Sequence, residues 1–179
     1  MMKNISRLVI VFLLMLATIF MVSCGKEEKT PLDKALEMKA ENVVICDMVT
    51  SIKSGEKSLY SETLKYELSD GVYKKTGTIV ELNPLSETEE YKTSIVESTD
   101  ETPNFNFSLT KEDLVDPVVD DGVTKLTAKL TAAGTARLIS SEASEASIEV
   151  TYSEGKIATV KLTYTYLELS NSVSYAFGY

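Results

Sequence analysis

The stretch 148–179 constrains the fold more than any other. Ile148, Val150 and Tyr152 alternate with Glu149, Thr151 and Ser153. Ala158, Val160, Leu162, Tyr164 and Tyr166 alternate with Thr159, Lys161, Thr163 and Thr165. Val173, Tyr175, Phe177 and Tyr179 repeat the pattern. A period of two belongs to strands with one buried face. Glu154-Gly155 and Ser170-Asn171 are the expected turns between them. The pattern therefore predicts a three-stranded antiparallel meander with an apolar, Tyr-rich face and a Thr- and Lys-rich face.

An apolar sheet face must be covered. The natural cover is a helix over 31–40, with Thr30 as cap, Pro31 in the first turn and Leu32, Ala35 and Leu36 on one stripe. Further strands are expected around Val44–Met48, Tyr60–Leu68, Val72–Leu82, Tyr91–Glu97 and Leu126–Leu130. Ser54-Gly55-Glu56 and Ser69-Asp70-Gly71 mark turns between the earlier ones. Thr110 opens a short helix start. The stretch 131–141 is a second short helix, weakened by Gly134. The stretches 98–106 and 116–122 are expected as loop and turn. The fold class that follows is α+β: a curved antiparallel sheet of about seven or eight strands, packed on one to three short helices. In the order of its elements it resembles the half-barrel of lipoprotein-carrier proteins. That resemblance implies a sheet curled over helices and shielding an acyl chain.

The N-terminus points to location. Lys3 and Arg7 precede a run of 15 uncharged residues, Leu8 to Val22. A basic start and a short apolar run describe a secretory signal rather than a spanning helix, which needs about 20 residues. Met21-Val22-Ser23-Cys24 resembles the lipobox of bacterial lipoproteins. The resemblance implies cleavage between Ser23 and Cys24 and a diacylglycerol on the Cys24 thiol, with the palmitate-type chains of such anchors. Two acyl chains hold a protein stably, at about 0.8 kcal/mol per buried CH₂. The expected organisation is a signal peptide over 1–23, a lipidated tether over 24–31 and a single domain over 32–179. The tether would reach about 24 Å at most. The expected location is the extracytoplasmic face of the cell membrane.

The composition removes function classes. The chain has 18 basic and 27 acidic residues and no histidine. Without His there is no Ser-His-Asp triad, no Cys-His pair and no His-ligated metal. A net charge of -9 opposes binding to a phosphate backbone, and loss of the basic residues 1–23 would take it to -11. No nucleic acid, cofactor or metal is therefore expected as a partner, and no enzyme activity. Asp116, Asp120 and Asp121 lack the spacing of a calcium loop. Glu87, Glu89 and Glu90 form a charge run of the solvated kind. Cys46, in Val43-Val44-Ile45-Cys46, is expected as a small buried residue.

Two functional expectations remain. One is a tethered, non-enzymatic module that binds an apolar or peptide-like ligand, or an envelope protein. Its ligand-facing candidates are Tyr152, Tyr164, Tyr166 and Tyr175, with Tyr179 on the same expected face. They would rim a groove between sheet and helix. The other is a structural or interaction module, such as an accessory subunit or inhibitor-like domain, acting through a sheet edge without a small ligand. The aromatic terminus also mimics an outer-membrane barrel strand, but strands such as 148–153 are shorter than the 9–11 residues a barrel needs.

Overall fold

Tight turns set the register of the sheet. Asp70-Gly71 (φ 55° and 82°) and Glu154-Gly155 (φ 52° and 75°) both lie in the left-handed region. Two successive positive φ angles give a turn whose twist matches the flanking strands, and glycine reaches them without a Cβ clash. In the computed structural model, residues 28–83, 88, 90–105 and 107–179 are described. The lipobox, with Ser23 and Cys24, lies outside the described residues, as do Glu87 and Glu89 of the acidic run.

Within Pro31–Tyr179, helix α1 (Pro31–Glu37) leads into β1 (Ile45–Ser54), β2 (Lys57–Ser69), β3 (Val72–Leu82) and β4 (Tyr91–Glu101). A 3-10 turn (Lys111–Asp113) precedes β5 (Leu114–Val119) and β6 (Lys125–Leu130). Helix α2 (Ala132–Leu138) is followed by β7 (Ser144–Ser153), β8 (Lys156–Tyr166) and β9 (Leu169–Gly178). The nine strands among the described residues form one open, curved antiparallel sheet in the order β4-β3-β2-β1-β9-β8-β7-β6-β5. The chain thus runs outward from the middle to one edge, crosses to the other edge, and returns to pair β9 with β1. Register shifts in the β1–β2, β3–β4, β5–β6 and β7–β8 pairs mark bulges, which bend strands.

Among the described residues the strands number nine, close to the expected seven or eight; the additional one arises because the stretch 116–122 is not all turn. Residues 116–119 belong to β5, and only the part beyond it turns. Pro117 obscured this strand, since proline cannot donate to a ladder. It is accommodated because β5 is an edge and its pairing with β6 skips between Val115 and Val118. Strand β7 begins at Ser144 and spans 10 residues, so the length objection to a barrel does not hold. The sheet nevertheless ends in two edges, β4 and β5.

The last hairpin also departs from expectation. It turns at Leu167 and Glu168 (φ 50° and 64°), not at Ser170-Asn171. Pairing decides the matter. This turn sets Val173 opposite Leu162 and Tyr175 opposite Val160, so the two apolar rows share a face. Burying those rows outweighs roughly 1–3 kcal/mol of strain at each left-handed residue. Asn171 becomes a buried strand residue whose amide donates to Leu169 O at 2.8 Å.

The core sits on one face of β5–β9. Leu126, Val150 and Val160 are fully buried, with Ile148, Tyr152, Ile157 and Leu162 around them. Ala35 of α1 is buried in this cluster, and Leu32 and Leu36 pack on it. The helix ends at Glu37, before the expected Ala40, and Lys39 is exposed. Thr131 caps α2 by accepting from the Gly134 N–H at 3.1 Å. Gly134 is needed there, because a Cβ would lie 2.6 Å from Asp113 O.

Candidate functional site

The route from β4 to β5 must cross the inner face of the sheet, the face that carries the core. The described residues 102–105 and 107–110 belong to this crossing strap. Phe105, Phe107 and Leu109 alternate along it with Asn104, Asn106 and Ser108. Phe105 meets Tyr66, Tyr73 and Phe177 edge-on, with centroids 6.0, 5.7 and 5.6 Å away. Phe107 lies 4.8 Å from Tyr175 and 5.8 Å from Phe177. Edge-to-face pairs of this kind each contribute about 0.5–1.5 kcal/mol beyond area burial. Leu109 is buried in the core cluster. The strap therefore joins β2 and β3 to β9 through side chains.

One buried carboxylate anchors its far end. Asp113 accepts from the Thr110 N–H and the Thr110 hydroxyl, both at 2.7 Å. Arg137 of α2 donates to the same carboxylate at 3.3 and 2.5 Å, and to Ser108 O of the strap at 2.7 Å. Burial alone would raise the Asp113 pKa, but the hydrogen bonds from Arg137 and Thr110 hold it below the ordinary value.

A cleft of about 650 Å³ opens beside the strap. Residues 39–43 form one wall, with Pro103, Phe105, Phe107 and Ser108 opposite and Leu68, Tyr73 and Ile157 between. That volume falls within the usual range for small-ligand pockets, roughly 300–1,000 Å³. The wall over 39–44 is fixed at several points. Ile157 N–H donates to Lys39 O at 3.4 Å, and Tyr73 hydroxyl donates to Val43 O at 2.5 Å. Val44 N–H donates to Gly178 O, and Leu68 N–H to Val44 O, both at 2.8 Å. Lys39 and Glu41 supply exposed charges at the rim. Burial raises the pKa of Tyr66 and Tyr73, so both hydroxyls stay protonated at neutral pH. The site mixes apolar and aromatic surface with polar and charged groups in comparable measure. It can hold a chain or a ring.

Of the tyrosines anticipated from sequence, Tyr152, Tyr164 and Tyr175 lie in or against the core cluster, while Tyr166 and Tyr179 bond elsewhere. Tyr152 is a core residue, and burial pushes its pKa up to about 12. Tyr164 packs at the edge of the core and lines a separate hollow of about 330 Å³ with Lys53, Asn171 and Ser172. Tyr166 donates to Glu142 Oε2 at 2.9 Å, away from the strap. Tyr179 donates to Ile157 O. Of these five, Tyr175 alone belongs to the aromatic cluster around the strap. Tyr66, Tyr73, Phe105 and Phe107 were missed, although the period of two over 103–109 was present as a signal.

Two other sequence features have structural roles. Cys46 is fully buried, and burial together with Asp47 pushes its thiol up to about 12, far from nucleophilic. The Asp120 carboxylate accepts from the Thr124 N–H and hydroxyl and from the Lys125 N–H, closing the β5–β6 turn. Among the described residues, no helix is long and apolar enough to cross a membrane. No protein-family model and no curated protein matches this chain.

Proposed function

We propose that this chain is a membrane-tethered, non-enzymatic lipoprotein of the cell envelope that takes an apolar or peptide-like ligand in the cleft beside the strap. The observation that carries the ligand reading is the strap itself. Phe105 and Phe107, two apart in the sequence, already lie on the inner face, seated by Tyr66, Tyr73, Tyr175 and Phe177. The face accepts that chemistry from its own chain, and the adjoining cleft has room for more of it. The tether reading rests on Met21-Val22-Ser23-Cys24.

The two parts are tested separately. Cys24→Ala leaves an unprocessed, unacylated precursor, and normal processing with membrane retention would contradict the anchor. For the cleft, the full chain in detergent is titrated with the apolar fluorophore N-phenyl-1-naphthylamine. Leu68→Glu, at a half-exposed position on the cleft wall, abolishes the fluorescence gain while the circular dichroism stays unchanged. Equal gain in parent and variant, or none in the parent, would refute ligand binding at this cleft.

A further inference from the structure

The two edges of the sheet are not equivalent. Strand β5 has 6 residues, carries Pro117 and is interrupted by a bulge. Strand β4 has 11 residues and no proline. Edges of this length are usually blunted by charge, proline or bulges. In β4 the only register shift lies near its C-terminal end, where Asp100 has φ 62°. From Tyr91 to Ser98 the pairing with β3 is regular. Ile95, in the middle of that stretch, is 85% exposed.

The hydrogen-bond phase shows which backbone groups face outward. Asn83 N–H donates to Glu90 O at 2.8 Å, extending the β3–β4 ladder by one pair. In the antiparallel alternation, Lys92, Ser94 and Val96 therefore bond to β3. Tyr91, Thr93, Ile95 and Glu97 turn their N–H and C=O groups to the free edge. The charges along the strand are polarised as well: Lys92 lies at its start, and Glu97, Asp100 and Glu101 toward its end. A parallel self-pair sets Lys92 on Lys92 and Glu97 on Glu97, whereas an antiparallel one brings the Lys92 end toward the acidic end and keeps these like charges apart.

We infer that β4 is a homodimer edge, pairing antiparallel with β4 of a second copy about a two-fold axis at Ile95. In this register Ile95 faces its own counterpart, Thr93 faces Glu97, and Ser94 faces Val96. Lys92 faces Ser98 of the second copy. The central pairs supply about six N–H···O bonds from the groups that now face outward. The product is a single sheet running through both copies, with the exposed Ile95 side chains packed together. The pairing is isologous and closed, so it stops at two.

The test is disulfide trapping in the full chain, in a Cys24→Ser background that leaves only the buried Cys46. Ile95→Cys under mild oxidation shifts the chain from monomer to a disulfide-linked dimer, since a facing antiparallel pair lies within disulfide reach. Thr78→Cys, which replaces Ile95's exposed neighbour on β3, remains monomeric. Adding Thr93→Pro, which deletes an outward N–H, removes the Ile95→Cys dimer. Cys46 staying unreactive to a thiol reagent reports that each variant is folded. A monomeric Ile95→Cys chain, equal dimer from Thr78→Cys, or a dimer that survives Thr93→Pro would each overturn the inference.

Discussion

β1–β4 and β6–β9 belong to one sheet, yet they are stabilised differently. Strands β6–β8 carry Leu126, Ala128, Ile148, Val150, Val160 and Leu162 as buried residues, beneath the helices and the end of the strap. Among the described residues of β1–β4, the buried apolar side chains are Cys46 and Leu64. In β3 and β4 no described residue is buried. The difference comes from what lies on top. The helical cover is short and close to the C-terminal strands, while the outer strands meet the rest through Phe105 on Tyr66 and Tyr73. Backbone ladders are equally regular in both regions. Ladder hydrogen bonds each add only about 1 kcal/mol net, so packing decides which region is the scaffold. The other region is an arm with free surface, and the cleft lies where arm and scaffold meet.

Core truncation separates the two regions most strongly. Leu126→Ala, in the scaffold, lowers unfolding stability by about 3 kcal/mol, the usual cost of a buried leucine. Ile79→Ala, on half-buried β3, costs about 1 kcal/mol or less, because little of its surface leaves water. Urea melts of the two variants check this. Equal losses would erase the distinction.

The anchor between strap and scaffold comes next. The folded pKa of Asp113 lies below its unfolded value, so its contribution is present above the unfolded carboxyl pKa of about 3.9. It is lost as pH falls through the lower folded value. Asp113→Asn removes charge-assisted bonds worth about 2 kcal/mol at pH 7. It also flattens the loss of stability between pH 4 and acid, an interval fixed by the direction of the shift. Unfolding midpoints across that range measure both effects, and a variant with the parent's pH profile would contradict the role given to this carboxylate.

A local clash in the arm tests whether β3 and β4 open apart from the scaffold. A Cβ at Gly77 would lie 2.0 Å from Thr63 O and 2.9 Å from Leu64 Cα, so β3 cannot keep its place on β2. Gly77→Ala therefore opens β3 and β4 while the scaffold melts within about 1–2 kcal/mol of the parent. Loss of the core melt together with the arm would show that the two are one cooperative unit.

How much of this was legible in the sequence follows from where local and long-range effects agree. The face of β7–β9 was legible because alternation, Thr content and the Glu154-Gly155 turn all point the same way. Ala35 and Leu36 were legible for the same reason, as a stripe that could only face a sheet. The turn at Leu167-Glu168 was not, since neither residue favours positive φ and the register of the apolar rows selected it. Strand β5 was hidden by Pro117. The site was legible only through Tyr175 and Phe177 of β9. Its other aromatics come from β2, β3 and a segment that resembled a loop, and they meet because the chain must return across the sheet. That closure is a property of the topology, not of any local window.

The most direct test is residue-resolved hydrogen exchange on the full chain at neutral pH. Amides of β7 and β8, around Val150 and Val160, should exchange only through global unfolding. Ladder amides between β3 and β4, such as those of Ile79 and Val96, should exchange through openings of lower free energy that leave the scaffold protected. Equal protection of both regions, rising and falling together with denaturant, would contradict the division into arm and scaffold.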